Sequence, residues 1–318
     1  MIHRLISLAA LSLGIALAGC GNQTDMNEAE QTGPLGTLVF PDMPEPDPFN
    51  RAYVMTESPD GQLRLFTKET RDNTDIFTSR RQDDGSWSEP QLLDWPKYRT
   101  NQNPHFSPFD DRLYFGSDRP VPGLDNRSDT NLWSVSWDGT SWGEAEPVPG
   151  DVNTGANETT VSITQDGMMY FVSNHPRGQG GQDIYQAVFN EDSQQWVTQS
   201  LPENISSHLV ESHVTVTPDG KNLVFYSRIQ PILGVVDIKA VTLQEDGSWL
   251  GPYTLGPRIN TPGIDFGTGR SHDGETFFFS REGRMMELPM SELYGQIELA
   301  KQAYLAGEEL SFLGLPEN

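Results

Sequence analysis

The chain has 318 residues, 21 Lys and Arg against 45 Asp and Glu, a formal net charge of −24 and one cysteine. This acidic excess argues against binding nucleic acid or an anionic lipid surface through bulk electrostatics, and a lone cysteine excludes a disulfide framework. Thirty glycines and 23 prolines, spread between short apolar runs, point to many turns.

Residues 1–20, MIHRLISLAALSLGIALAGC, join a basic start (His3, Arg4) to an apolar run from Leu5 to Ala18. That is the pattern of a bacterial secretory signal, and the run is short for a membrane-spanning helix. The ending Leu17-Ala18-Gly19-Cys20 resembles the lipobox of bacterial lipoproteins. The resemblance implies that Cys20 becomes the lipidated first residue. Gly21 in place of an aspartate then implies the outer membrane, with the domain in the periplasm or at the cell surface. Removal of Arg4 with the signal leaves 20 basic against 45 acidic residues, a charge of −25. Residues 21–35, GNQTDMNEAEQTGPL, are polar and read as a flexible tether. Residues 36–318 read as one large all-β domain.

Within that domain one pattern recurs. An Asp-containing turn followed by an apolar strand appears as SPDGQLRLFT (58–67), SPFDDRLYFGS (107–117), TQDGMMYFVS (164–173), TPDGKNLVFYS (217–227) and SHDGETFFFS (271–280). A second short strand follows each: DIFTS (75–79), NLWSV (131–135), DIYQA (183–187), DIKAV (237–241) and MMEL (285–288). Four copies add a third element with Trp87, Trp142, Trp196 or Trp249, placed 55, 54 and 53 residues apart. Short strands repeated at this period, four to a unit, specify propeller blades, because each sheet buries one face only by stacking on its neighbour. The recurring tryptophans read as packing. The glycines of GQGG (178–181) read as a loop, since no helix follows to hold a phosphate.

These units resemble the WD40-like repeats of TolB-type β-propellers. The SPDG-type turns, the GG-x-DIY segment, the tryptophan strand and the linkers Asp151-Val152-Asn153-Thr154 and Arg258-Ile259-Asn260-Thr261 carry the resemblance over residues 51 to about 290. It implies a propeller whose members mostly bind other molecules.

The fifth unit lacks a tryptophan strand and runs instead through Pro289 into helix-forming sequence, giving a C-terminal helical segment at about 290–308. The segment GTLVF (36–40) is the natural donor of the missing outer strand, which would close a ring of five blades; an irregular sixth blade is the alternative.

Strand alternation then suggests a site. Counted back from Asp60, Asp111, Asp166, Asp219 and Asp273, the fifth position (Met55, Phe106, Val161, Val214, Thr268) suits packing between blades. The fourth holds Thr56, Ser107, Ser162, Thr215 and Gly269, the sixth Val54, His105, Thr160, His213 and Gly267, and the eighth Ala52, Asn103, Glu158, Glu211 and Asp265. This face is expected to line a wet central channel. Asn103, His105, Glu158, Glu211, His213 and Asp265 are the candidate binding residues; the same groups capping strand ends is the structural alternative.

Two histidines and three carboxylates suit a divalent metal, although no local ligand spacing supports one and no cofactor is otherwise indicated. Asp125–Asn131 resembles a calcium loop only loosely and reads as a solvated turn. Two functions follow. The first is a lipid-anchored, non-catalytic binding or scaffold module for a protein or glycan partner of the envelope. The alternative is a five-bladed glycoside hydrolase in which Glu158, Glu211 and Asp265 act as acid and base. Against it stands Ala52, where those families place an acid.

Overall fold

The computed structural model describes residues 33–47, 50–96, 98–123, 128–199, 201 and 204–317. The secretory segment, Cys20 and most of the tether lie outside the described residues, as do Asp125 to Arg127 of the loose calcium-like loop. Of that loop, Asn131 donates to the backbone and side chain of Asp129, as in an ordinary turn.

Each repeat begins with the same turn, and the side chains show why Ser or Thr recurs two residues before Asp. Ser58, Thr164, Thr217 and Ser271 each donate a hydroxyl to Asp60, Asp166, Asp219 or Asp273. The same oxygens accept from the backbone N–H that opens the next strand, at Leu63, Met168, Asn222 and Thr276. Gly61, Gly167, Gly220 and Gly274 follow the aspartates at φ +64° to +82°, where a side chain is strained. The second repeat differs. Its turn, Ser107 to Arg112, has the same length as Ser58 to Leu63, but its aspartates stand three and four places after the serine, and Asp110 accepts from the Arg112 N–H.

The strands assemble into antiparallel blades. The first is Arg51–Glu57, Leu63–Glu69, Thr74–Arg80 and Gln91–Leu92; the second Asn101–Phe106, Leu113–Ser117, Asn131–Val135 and Glu146–Pro147. The third is Glu158–Ile163, Met168–Ser173, Asp183–Asn190 and Gln195–Gln199; the fourth Glu211–Val216, Asn222–Ser227, Asp237–Leu243 and Trp249–Thr254. The fifth has Asp265–Arg270, Thr276–Arg281 and Arg284–Pro289, and its outer strand is Thr37–Leu38 from the N-terminal side, paired antiparallel with 286–287. The architecture is a five-bladed β-propeller closed by the donated strand, not an irregular six-bladed ring.

Closure is reinforced twice. Arg281 donates to the Leu35 carbonyl at 3.0 Å and to Ile259 at 2.8 Å, holding the incoming strand against the fifth blade. The innermost strands of blades five and one meet through a parallel backbone bridge between Arg270 and Thr56. Pro34–Asn318 is one compact unit.

Between blades the apolar faces interlock. Trp196 is 1% exposed against Val161 of its own blade and Tyr114 and Val148 of the second, and Trp249 packs with Tyr170 and Phe225. Trp87 instead lies under the Arg64 guanidinium at 4.3 Å. The helix Met290–Ala306 buries Leu293, Ile297 and Ala300 against Leu255, Phe277 and Phe279, sealing blades four and five on the outside, and ends at Gly307 in the left-handed conformation. Among the described residues no helix is long and apolar enough to cross a membrane.

Deleting residues 36–40 should lower stability by about 2–4 kcal/mol, because Val39 leaves the core and strand Arg284–Pro289 becomes an open edge. Thermal unfolding with size-exclusion chromatography checks this; an unchanged, monomeric midpoint would contradict the role of the donated strand.

Candidate functional site

The position of every axial side chain follows from a bulge. In all five inner strands the pairing slips by one residue, between 53 and 55, 102 and 105, 158 and 161, 212 and 215, and 266 and 269. The residues at the slip are Val54, Asn103, Thr160, His213 and Gly267, and four of them take positive φ: 47°, 55°, 51° and 64° for Val54, Asn103, His213 and Gly267. A β-branched residue such as Val54 is strained there, by about 1–2 kcal/mol. An inserted residue moves the following side chains to the other face.

On the turn side of the slip the inward groups do not line open water. The backbone N–H of Phe106 donates to Thr56 Oγ1 at 3.1 Å, that of Ile163 to His105 Nε2 at 3.0 Å and that of Val216 to Ser162 Oγ at 3.0 Å. Thr215 donates to Thr268 at 3.0 Å. Each inner strand is thereby stitched to the next. Burial, and then the charge of Arg270, holds His105 well below the usual histidine range, so its acceptor role is that of a neutral ring.

Below this layer Arg270, 2% exposed, donates to the carbonyls of Val216, Ile163 and Ser271. Burial lowers its guanidinium to about 10. His272 of the fifth blade meets Asp111 of the second at 2.9 Å on the same face. The axis is therefore blocked at the turn end, which corrects the expectation of a wet channel lined by hydroxyls.

The three candidate acids do not form a ring facing that channel either. Glu158, Glu211 and Asp265 are fully buried. Each accepts from the backbone N–H and the hydroxyl of a residue four positions earlier: Glu158 from Thr154 (3.1 and 2.6 Å), Glu211 from Ser207 (2.8 and 2.8 Å), Asp265 from Thr261 (2.6 and 2.7 Å). Ser173, Ser227 and Arg281 supply a third donor to each. Burial raises all three carboxyls above their usual range, partly offset by these donors. They are strand-end locks that pin the interblade loop to the inner strand. The residue beside the locking hydroxyl belongs to the same device: Asn153 and Asn260 bond both the N–H and C=O of Leu132 and Ile238 in the preceding blade.

Two further corrections concern the second blade. Because Asp111 stands four residues after Ser107, where the other turns have Asp two after Ser or Thr, counting back from it runs two positions out of step with the other four blades. The counterpart of the acids is Asn101, which accepts from Ser117 at 2.9 Å and Arg119 at 3.1 Å. Asn103 is the counterpart of His213, and His105 that of Thr215. Counting from the recurring Ser or Thr of the turn, rather than from the aspartate, restores the register. Among the described residues no group of three or more His, Cys, Asp or Glu side chains converges on a metal position; His105 and His213 sit on different levels with different partners.

Above the slip the axis opens into a pocket of about 300 Å³. The residue just before each slip lines it: Tyr53, Gln102, Thr159, Ser212 and Phe266, one from every blade. These residues lie on the opposite parity from the sequence-based face, which is why alternation alone missed them. Asn103 and His213 join them; Tyr53 and His213 stack at 5.1 Å, His213 and Tyr226 meet edge-on at 5.0 Å, and Phe266 tilts on Tyr53 at 5.5 Å. Burial, then Arg51, lowers His213 to about 3, so it is neutral at physiological pH. Glu69 is the single carboxylate among the lining residues and is paired with Arg51 at 2.6 Å. Four lining residues each hold a buried polar atom with no partner: Arg51 Nε, Asn103 Oδ1, Thr159 Oγ1 and His213 Nδ1. Such atoms are where ordered water or a ligand belongs.

No protein-family profile matches the chain, and no curated protein matches it. Solved structures do. TolB from Acinetobacter baumannii is 12% identical with a TM-score of 0.42 over 76% of this chain and 54% of its own. An α-L-arabinofuranosidase from Lactobacillus brevis is 17% identical with a TM-score of 0.49 over 75% and 90%, and a gluconolactonase from Xanthomonas campestris 12% identical with a TM-score of 0.43 over 76% and 86%. The chain thus spans about half the length of the first of these.

A buried carboxyl raised above its unfolded value adds stability that is fully present below the unfolded pKa and is lost as pH rises through the folded one. The wild type should therefore gain on the Glu158→Gln/Glu211→Gln variant as pH falls from neutral toward about 4.3, the unfolded Glu value. Denaturant midpoints of both proteins at pH 7.5 and 5.0 check this; a gap that narrows on acidification would give the opposite sign.

Proposed function

We propose that this chain is a non-catalytic binding module of the bacterial envelope, tethered through a lipid on Cys20, whose axial pocket takes a group presented by a glycan or protein partner. The observation that supports this most is the pocket wall. Every blade contributes a side chain to it, four of its residues hold a polar atom with no partner, and Tyr53, His213, Tyr226 and Phe266 add aromatic rings. Concave, aromatic-walled sites with a few placed polar groups are the usual form of ligand sites.

Hydrolysis of a glycoside needs two carboxyls flanking the bond, one to give and one to take a proton or attack. The pocket offers one, Glu69, already neutralised by Arg51. Glu158, Glu211 and Asp265, the residues that chemistry would have used, have their oxygens occupied by loop donors and are shielded from water. Binding without turnover fits this arrangement, and the tether fits a protein that waits at the membrane for an envelope partner.

Two substitutions test the proposal. Ser212→Trp should fill the pocket and abolish retention of isolated envelope material by the full chain. Glu158→Gln/Glu211→Gln, if it folds, should retain envelope material and leave hydrolysis of aryl glycosides at the background level in both proteins. Hydrolysis by the wild type that the double variant loses would overturn the proposal. Cys20→Ala should move the chain from the membrane fraction to the soluble one, as fractionation with immunoblotting would show.

A further inference from the structure

Resting on the axial pocket as the binding site, the chemistry of its wall narrows the ligand. We infer that the pocket receives one uncharged sugar ring at the end of a glycan chain.

The unpartnered atoms are of mixed kind. Arg51 Nε can only donate and Asn103 Oδ1 can only accept, whereas Thr159 Oγ1 and the neutral His213 ring can do either. Asn103 Nδ2 is already committed to the Thr159 carbonyl and to Thr160 Oγ1, so rotation of the amide to present a donor would break two bonds. A carboxylate or phosphate entering the pocket would satisfy Arg51 but set lone pairs against Asn103 Oδ1 and the Glu69 carboxylate. An ammonium group would face Arg51, with Arg228 at the rim. Hydroxyl groups both donate and accept, so a ring bearing several of them suits a wall of mixed donors and acceptors without an unpaired charge.

The apolar part of the wall agrees. Phe266 and Tyr53 are both 7% exposed and tilted at 42° to each other, and with Val235, Val236 and Ile264 they form the apolar part of the lining. A sugar ring has the matching division, with polarised C–H bonds on its faces and hydroxyls around its edge. A peptide side chain such as phenylalanine would fill the apolar part and offer no hydrogen bond to the polar groups of the wall.

Size and closure define the end of the chain. About 300 Å³ lies at the low end for ligand pockets. Arg270 and the stitched layer above it block the axis below, so a polymer cannot thread through. Only a terminal residue can enter.

Saturation-transfer NMR on the full chain, held in a zwitterionic detergent free of sugars, tests this with methyl glycosides of glucose, galactose, mannose and N-acetylglucosamine, alongside glucuronate and acetyl-phenylalaninamide. We expect at least one neutral glycoside to bind with a dissociation constant on the order of 1 mM, as ligand size alone allows, and glucuronate at least tenfold more weakly. Thr159→Val removes a hydroxyl that has no partner in the unliganded protein. It should leave the unfolding midpoint unchanged or higher while weakening the glycoside about fivefold; Phe266→Leu should weaken it similarly. Binding of glucuronate or acetyl-phenylalaninamide in preference, lost in the same two variants, would overturn the sugar assignment and leave the axial pocket as the binding site. No binding of any probe, or binding that both variants leave intact, would overturn both.

Discussion

One backbone constraint organises this propeller. Each inner strand carries an extra residue where it passes the axis, and in four of the five blades that residue adopts positive φ. Without the slip, acids, hydroxyls and histidines would share one face and surround an open channel. With it, the strand presents one face below and the other above. The lower side chains turn to the neighbouring strand and close the axis; the upper ones, Tyr53, Gln102, Thr159, Ser212 and Phe266, surround a pocket. At Gly267 the strain is avoided altogether, and a Cβ there would meet the Tyr53 Cβ at 2.6 Å, so the fifth and first blades approach closely where no side chain intrudes.

The acids serve this arrangement rather than any chemistry. A carboxylate buried between a loop N–H, a hydroxyl and a third donor is a firm joint, since each oxygen has its partners and none is left to water. Thr154–Glu158, Ser207–Glu211 and Thr261–Asp265 repeat that joint in blades three to five. In the second blade Asn101 and Arg119 take its place, with Arg119 stacked among Tyr98, Phe115 and Trp133. In the first, Ala52 has no side chain to contribute, and its carbonyl is held by Ser280 of the fifth blade at 2.7 Å. The seam where the ring closes is thus held by backbone, by Arg281 and by the donated N-terminal strand.

The blades were legible in the sequence because the turn chemistry is local. Ser or Thr, Asp and Gly at fixed offsets write the same hydrogen bonds into four of the five repeats, and the tryptophan spacing follows. The donated strand was legible too, since the fifth repeat lacks its own. The axial site was not, for two physical reasons. A bulge reverses which face a residue occupies and leaves little mark in composition, except that Asn103 and Gly267 tolerate positive φ. Asp111 lies four residues after Ser107 rather than two, which moved Asn103 and His105 two places out of step. A signal for the locks was present all the same: Thr or Ser four residues before Glu or Asp, following an Asn or Ser, occurs at each of the three loops.

The central claim is that the three inner-strand acids are sealed structural joints and that the binding surface is the ring of residues before the slip. Carbodiimide labelling of carboxyls in the folded chain, read by mass spectrometry, tests it most directly. Asp84, Asp138 and Asp246 on exposed turns should react readily, while Glu158, Glu211 and Asp265 stay unmodified until the protein unfolds. Labelling of those three at the rate of the exposed turns would show them open to water on the axis, and would contradict both the sealed joints and the closed floor beneath the pocket.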